Sequence, residues 1–228
     1  MRYRCIVLDL DGTLVDSTAA LTHSLNEVLT SLARRELSPE TVRRHADHGL
    51  RALLREACHL TGLALSDVDL NRHLGTFRLR YDACLVQKTT LHPHVLDTLT
   101  HLRELGGRFS ILTNKPKTPC LKLVEHFGLE QHIDYIVTGD MGLLRKPDPA
   151  GLLCLLEQMG CAPQEALFVG SGRVDVHTAR NAGVRTALCA PRCELPQLKS
   201  MGSDYVMTDF RQLVSVVHES TADRAALP

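Results

Sequence analysis

The chain has 228 residues, with 26 Lys and Arg against 26 Asp and Glu, so it carries no net charge and no basic footprint for nucleic acid or an anionic membrane. No apolar run reaches membrane length, and the N-terminus reads as a strand rather than a signal peptide. Its eight cysteines, none in a C-x-x-C pair, suit buried reduced thiols better than a disulfide framework or zinc site, and the expectation is a soluble cytoplasmic protein.

The first element is the apolar run Cys5-Ile6-Val7-Leu8, which reads as a buried parallel strand. It stops at Asp9, Asp11 follows two residues later, Gly12 lets the backbone turn sharply and Thr13 offers a hydroxyl. Ligands of open parallel sheets bind just beyond the carboxyl ends of the strands, so Asp9 would stand at that rim and Asp11 in the loop above it. Two carboxylates this close repel each other, which a divalent cation would relieve. Taken alone, the stretch reads equally as a polar turn.

From about Val15 to Lys88 the pattern is helical. Leu21, Leu25, Val28, Leu29 and Leu32 recur at helical spacing, and Ser38-Pro39 reads as an N-cap and first helical position. Leu50, Leu53, Leu54, Ala57, Cys58 and Leu60 form a third stripe ended near Gly62, and a fourth run spans Leu70 to Val86. No strand pattern interrupts the segment, which is far too long for a connection and is expected to be a separate helical module, residues 15–88.

Strand and helix then alternate. Val95 to Leu105 is helical and closes on Gly106-Gly107; Phe109–Leu112 is a strand; Thr118-Pro119 opens a helix that ends at Gly128. Strands follow at Ile133–Val137, Ala166–Val169, Arg185–Leu188 and Tyr205–Met207, with helices from Asp148-Pro149 to Gly160, near Val174–Ala182 and at Phe210–Val217. Alternation of this kind implies a doubly wound parallel α/β core, residues 1–14 and 89–219, followed by a loose tail at 220–228.

Four stretches in order resemble the four motifs of the haloacid dehalogenase superfamily, the aspartate-nucleophile phosphohydrolases. They are Asp9-Leu10-Asp11-Gly12-Thr13, Thr113 in Ile111-Leu112-Thr113-Asn114-Lys115-Pro116, Lys146 in Arg145-Lys146-Pro147-Asp148-Pro149, and Phe168-Val169-Gly170-Ser171 through Asp175. The resemblance implies a Rossmann-like core with an inserted α-helical cap, and the nearest pattern within the superfamily is the phosphoglycolate phosphatase-like group. It implies a Mg²⁺-dependent phosphomonoester hydrolase in which Asp9 is the nucleophile, Asp11 the general acid and base, Thr113 and the Asn114 amide hold a phosphoryl oxygen, and Lys146 adds positive charge. Asp9, the carbonyl of Asp11, Asp175 and Ser171 would surround the Mg²⁺. The cap loop His48-Gly49 would close over the site and Arg51 or Arg55 would meet a substrate carboxylate, although both arginines read as well as solvated residues of a cap helix. A small phosphorylated metabolite is the expected partner; a phosphomutase shares Asp9 and Asp11 and stays open.

The chain departs from the family at Ser171, where Gly-Asp is usual. A hydroxyl replaces a full negative charge facing a dication, which weakens the expected metal site. Three consequences stay open: Asp175 takes over as ligand in a slower enzyme, the chain binds a phospho-ligand without turnover, or the serine is a substitution made by design.

Overall fold

In the computed structural model, residues 1–46, 49–189 and 195–218 are described. The chain runs β1 (Cys5–Leu8), β2 (Val15–Asp16), then helices α1 (Thr18–Ser31), α2 (Pro39–His45), α3 (Leu50–Thr61) and α4 (Asp67–Cys84). After β3 (Thr90–Leu91) come α5 (Val95–Glu104), β4 (Arg108–Leu112), α6 (Lys117–His126), β5 (Ile133–Val137) and α7 (Ala150–Met159). The remainder is β6 (Ala166–Gly170), α8 (Arg173–Ala182), β7 (Arg185–Cys189), α9 (Leu195–Ser200), β8 (Tyr205–Met207) and α10 (Leu213–His218). Two compact units result, one built from residues up to Val15 with those from Leu91 on, the other from Asp16–Thr90.

The first unit is a parallel sheet in the order β5-β4-β1-β6-β7-β8. Its central strand β1 has no polar residue and is buried along its length, as a strand covered on both faces must be. Leu8 lies opposite Ile111 of β4 on one side and Val169 of β6 on the other, so the three strands end at a common rim. One face of the core joins Val7, Leu112, Val137 and Phe168 of the strands to Leu152, Leu155, Leu156 and Met159 of α7 and Ala179 and Ala182 of α8. Each large side chain buried there contributes about 1.5–3 kcal/mol against exposure. That stack holds the strand ends in register.

The second unit is the four-helix segment. Leu25, Val28 and Leu29 of α1, Val42 of α2, Leu53, Leu54, Ala57 and Cys58 of α3, and Leu70, Leu74 and Phe77 of α4 form its own apolar cluster. Ser38 and Ser66 cap α2 and α4, accepting the Thr41 and Asp69 amides at 3.3 and 3.1 Å. The guanidinium of Arg34 donates to the carbonyls of Cys58 and Leu63 at 2.6 and 2.5 Å, closing the exposed end of α3.

Several details differ from the sequence reading, among them the fourth helical run, read as Leu70 to Val86 and found at Asp67–Cys84. β2 and β3, two residues each, pair in a small sheet of their own, and pieces that short leave no periodicity to read. The helix expected from Thr118-Pro119 starts one residue earlier, at Lys117. The short α9 precedes β8 where no helix was expected. The expected tail, residues 220–228, lies outside the described residues.

Candidate active site

Every core residue that the motifs single out leaves the same rim of the sheet. Asp9 follows β1 directly, its N–H donating to the Val169 carbonyl at 2.8 Å as though the strand continued. Thr113 follows β4 in the same way, bonded to the carbonyl of Val137 at 3.0 Å. Ser171 follows β6, and Asp175 sits in the first turn of α8. The short connection between these last two elements aims both back at the end of β1.

Lys146, between β5 and α7, is the cation around which the carboxylates gather. Its Nζ lies 2.7 Å from Oδ1 of Asp9 and 2.7 Å from Oδ1 of Asp175, and all three side chains are at least nine-tenths buried. Burial pushes the Asp9 carboxyl up to about 7, a rise that Lys146 opposes and the neighbouring Asp175 reinforces. Burial alone would lower the Lys146 ammonium, but Asp175 and Asp9 overcome it and hold the lysine well above its ordinary value. The lysine therefore stays charged while its partner Asp9 is poised near neutrality.

Asp175 accepts three hydrogen bonds. Beyond Lys146 on Oδ1, its Oδ2 accepts the backbone N–H groups of Ser171 and Gly172 at 3.0 and 3.1 Å. A Cβ at residue 170 would fall 2.4 Å from the Cβ of Asp175 and 2.5 Å from its Oδ2, so only glycine there lets the carboxylate tuck beneath the strand end. Asp175 thus shapes the 170–172 loop and anchors Lys146.

The Ser171 hydroxyl donates to the carbonyl oxygen of Asp11 at 3.4 Å. Gly12, at φ 84°, makes the turn anticipated for it, and a Cβ there would meet Ser171 Oγ at 2.6 Å. The carboxylate of Asp11 is a third exposed and is held from the other side by Lys115, whose Nζ lies 2.9 and 3.0 Å from its two oxygens. Asn114 is tied to Lys146 in both directions: its Nδ2 donates to the lysine carbonyl at 3.1 Å and its Oδ1 accepts the lysine N–H at 2.9 Å. Thr113 is buried, with Oγ1 accepting the Lys115 N–H at 3.1 Å.

Asp9, Asp11, Thr113, Asn114, Lys146, Ser171 and Asp175 thus converge, linked through the contacts above. Two features were missed in the sequence: the ion pair of Lys115 with Asp11, and the side-chain clamp of Asn114 on Lys146. Both residues lie in Thr113-Asn114-Lys115, but nothing in a tripeptide says which way its side chains turn. Gly49 and Arg51 belong to the helical unit, where Gly49 has φ 84° and precedes α3. Arg51 pairs with Asp67 at 2.8 Å and bonds Asn71, and Arg55 pairs with the same aspartate at 3.2 Å. His48 lies outside the described residues.

Among the described residues no group of three or more His, Cys, Asp and Glu side chains is arranged to hold a metal ion. What the rim offers instead is a set of hard oxygens: the Asp9 carboxylate, the Asp11 carbonyl and the Ser171 hydroxyl. Such a set suits a Mg²⁺ ion that keeps several of its waters, and suits a thiophilic metal poorly.

The family model described as haloacid dehalogenase-like hydrolase matches residues 6–189. Phosphoglycolate phosphatase 1 of Pseudomonas aeruginosa is 37% identical over 188 residues, covering 81% of this chain and 68% of that protein. Phosphoglycolate phosphatase of Rhodospirillum rubrum is 33% identical over 214 residues, 92% of this chain and 89% of that one. Among solved structures, a HAD-superfamily hydrolase, subfamily IA, variant 1, from Geobacter sulfurreducens PCA superposes with a TM-score of 0.73 at 24% identity, covering 95% of this chain and 97% of its own. A predicted phosphoglycolate phosphatase from Haemophilus somnus 129PT superposes with a TM-score of 0.85, covering 95% of this chain and 98% of its own, also at 24% identity. At that identity the structural likeness speaks for the fold.

Proposed function

The chain belongs to the haloacid dehalogenase-like hydrolase family and is a phosphatase, and from that premise we propose that it hydrolyses a small phosphorylated metabolite of the phosphoglycolate type through an aspartyl-phosphate on Asp9. The observation that carries this reading is the buried contact of Asp9 with Lys146 at the rim where Asp11 and Thr113 also emerge.

In the first step an oxygen of Asp9 attacks phosphorus and the bond from phosphorus to the ester oxygen breaks, with Asp11 giving its proton to the departing alkoxide. In the second step water attacks the phosphoryl group and the bond to Asp9 breaks, Asp11 taking a proton from the water. Inorganic phosphate leaves and Asp9 is regenerated. Lys146 remains charged throughout and offsets the negative charge gathering between Asp9 and the phosphoryl oxygens. Thr113 and the Asn114 amide receive one of those oxygens, and the clamp of Asn114 on the Lys146 backbone keeps the two receptors at a fixed spacing.

Mg²⁺ would be held by Asp9, the Asp11 carbonyl and Ser171, and when bound it supplies neutralisation of the phosphoryl charge. Three acidic side chains, Asp9, Asp11 and Asp175, meet two ammonium groups at this rim. Asp175, already engaged by Lys146 and two amides, serves this reading as the anchor of the loop. Arg51 and Arg55 remain candidates for a substrate carboxylate, with Asp67 as the partner they would exchange for it.

The test is hydrolysis of p-nitrophenyl phosphate and 2-phosphoglycolate with Mg²⁺, together with the mass of the protein quenched during turnover. A phosphoryl adduct on the peptide containing Asp9, absent in Asp9→Asn, is the expected result; phosphate release without dependence on Asp9 overturns the mechanism. A second reading is favoured by Ser171: a protein that binds the same phospho-ligand with weakened turnover. Activity in both this chain and Ser171→Asp supports the enzyme, whereas activity in the variant alone supports the binding protein.

A further inference from the structure

We propose that Lys115 is the positioning residue for the acid–base carboxylate, fixing Asp11 in the orientation from which its proton reaches the leaving oxygen. The inference rests on the reading of Asp11 given above and adds a residue to it. Lys115 is 8% exposed, in a chain whose lysines otherwise lie mostly at the surface, and burying an ammonium is costly unless it is paired. Its pairing is a two-point one, 2.9 and 3.0 Å to the two oxygens of Asp11, which restrains the plane of the carboxylate as well as its position.

The base from which Lys115 reaches is itself fixed. Its N–H donates to Thr113 Oγ1 at 3.1 Å, and its carbonyl accepts the Gly139 N–H at 3.0 Å. Gly139 presses on the same loop so closely that a Cβ there would lie 2.3 Å from the Asn114 carbonyl oxygen. Asn114, one residue before, is clamped to the Lys146 backbone. One short loop therefore sends the Asn114 side chain to the backbone of Lys146, whose ammonium holds Asp9 and Asp175, and the Lys115 side chain directly to Asp11.

Asp11 needs this because it stands in a turn, a third exposed, with its carbonyl turned to Ser171. A carboxylate on two rotatable bonds facing water has several rotamers available, and proton transfer to an oxygen requires one of them. Lys115 does not enter the bond changes. Its removal should act through Asp11, which it holds at two points.

Leaving-group dependence reads this directly. The alkoxide of 2-phosphoglycolate is a poor leaving group that needs a proton, whereas p-nitrophenolate departs as a stable anion. A positioned acid contributes about 10²–10⁴-fold where the proton is needed. Lys115→Met is expected to lower kcat/KM, which reports the first step alone, at least about 10-fold more on 2-phosphoglycolate than on p-nitrophenyl phosphate. Lys115→Arg, which keeps the charge and a two-point donor, should recover most of that difference. Asp11→Asn with Lys115→Met should be no worse than Asp11→Asn alone, because the lysine acts only through the acid.

The controls separate two failures. An Asp11→Asn variant that loses kcat/KM equally on both substrates overturns the reading of Asp11 as the acid, and the present inference with it. A selective loss of kcat/KM in Asp11→Asn beside an equal loss of kcat/KM on both substrates in Lys115→Met overturns the positioning role alone. If Lys115→Met does not fold, Lys115→Gln takes its place against Lys115→Arg, and equal losses on both substrates in that pair overturn the proposal in the same way.

Discussion

A hydroxyl at position 171 stands where the family usually has a carboxylate, and the consequence is electrostatic. Unit charges about 4 Å apart interact by roughly 4 kcal/mol at an effective dielectric near 20, and desolvation takes back part of that. Ser171→Asp is therefore expected to bind Mg²⁺ at least about 10-fold more tightly, read by calorimetric titration of the metal with no substrate present. Equal affinities would mean that position 171 does not face the ion. Lys146 sets the opposite kind of dependence, since it satisfies two buried carboxylates at 2.7 Å each. Lys146→Ala leaves both without their cation and should cost about 3–5 kcal/mol in denaturant unfolding. The Asp9 carboxyl, raised by burial to about 7, is protonated below that pH and loses its nucleophilic form as pH falls. Carboxyl ¹³C titration of the metal-free protein should place its midpoint near 7, and Lys146→Ala should move it upward.

At the scale of elements, what could be read beforehand was whatever rests on apolar pattern and turn chemistry. Cys5-Ile6-Val7-Leu8 announces a buried central strand, Ser38-Pro39 announces a capped helix, and the ordered motifs place Asp9, Thr113, Lys146 and Asp175 at one rim. Ion-pair choices were not readable: two lysines face three aspartates, and which pairs with which is decided by loop geometry across more than a hundred residues, as with Lys115 and Asp11. Nor was the burial of Asp175 against Gly170 visible, because a close approach leaves no trace except a glycine. That contact yields its own prediction. Gly170→Ala should destabilise the protein by about 1–3 kcal/mol and displace Asp175 from the Ser171 and Gly172 amides, which would appear as faster hydrogen exchange at those two positions.

At the scale of the whole molecule, the cysteines of the described residues are dispersed. Among the described residues seven are free thiols, four of them buried, and burial pushes Cys120 and Cys161 up to about 12 and Cys189 to about 11. Thiolate is the reactive form, so Cys120, Cys161 and Cys189 should react slowly with a disulfide reagent at neutral pH until the chain unfolds. The sheet order has a consequence of another kind. On the ribosome, β1 emerges first, yet both of its neighbours, β4 and β6, are encoded roughly a hundred codons or more downstream. During synthesis the nascent strand waits unpaired, while the helices of Asp16–Thr90, whose apolar cluster is drawn from within that segment, are free to assemble on their own timetable.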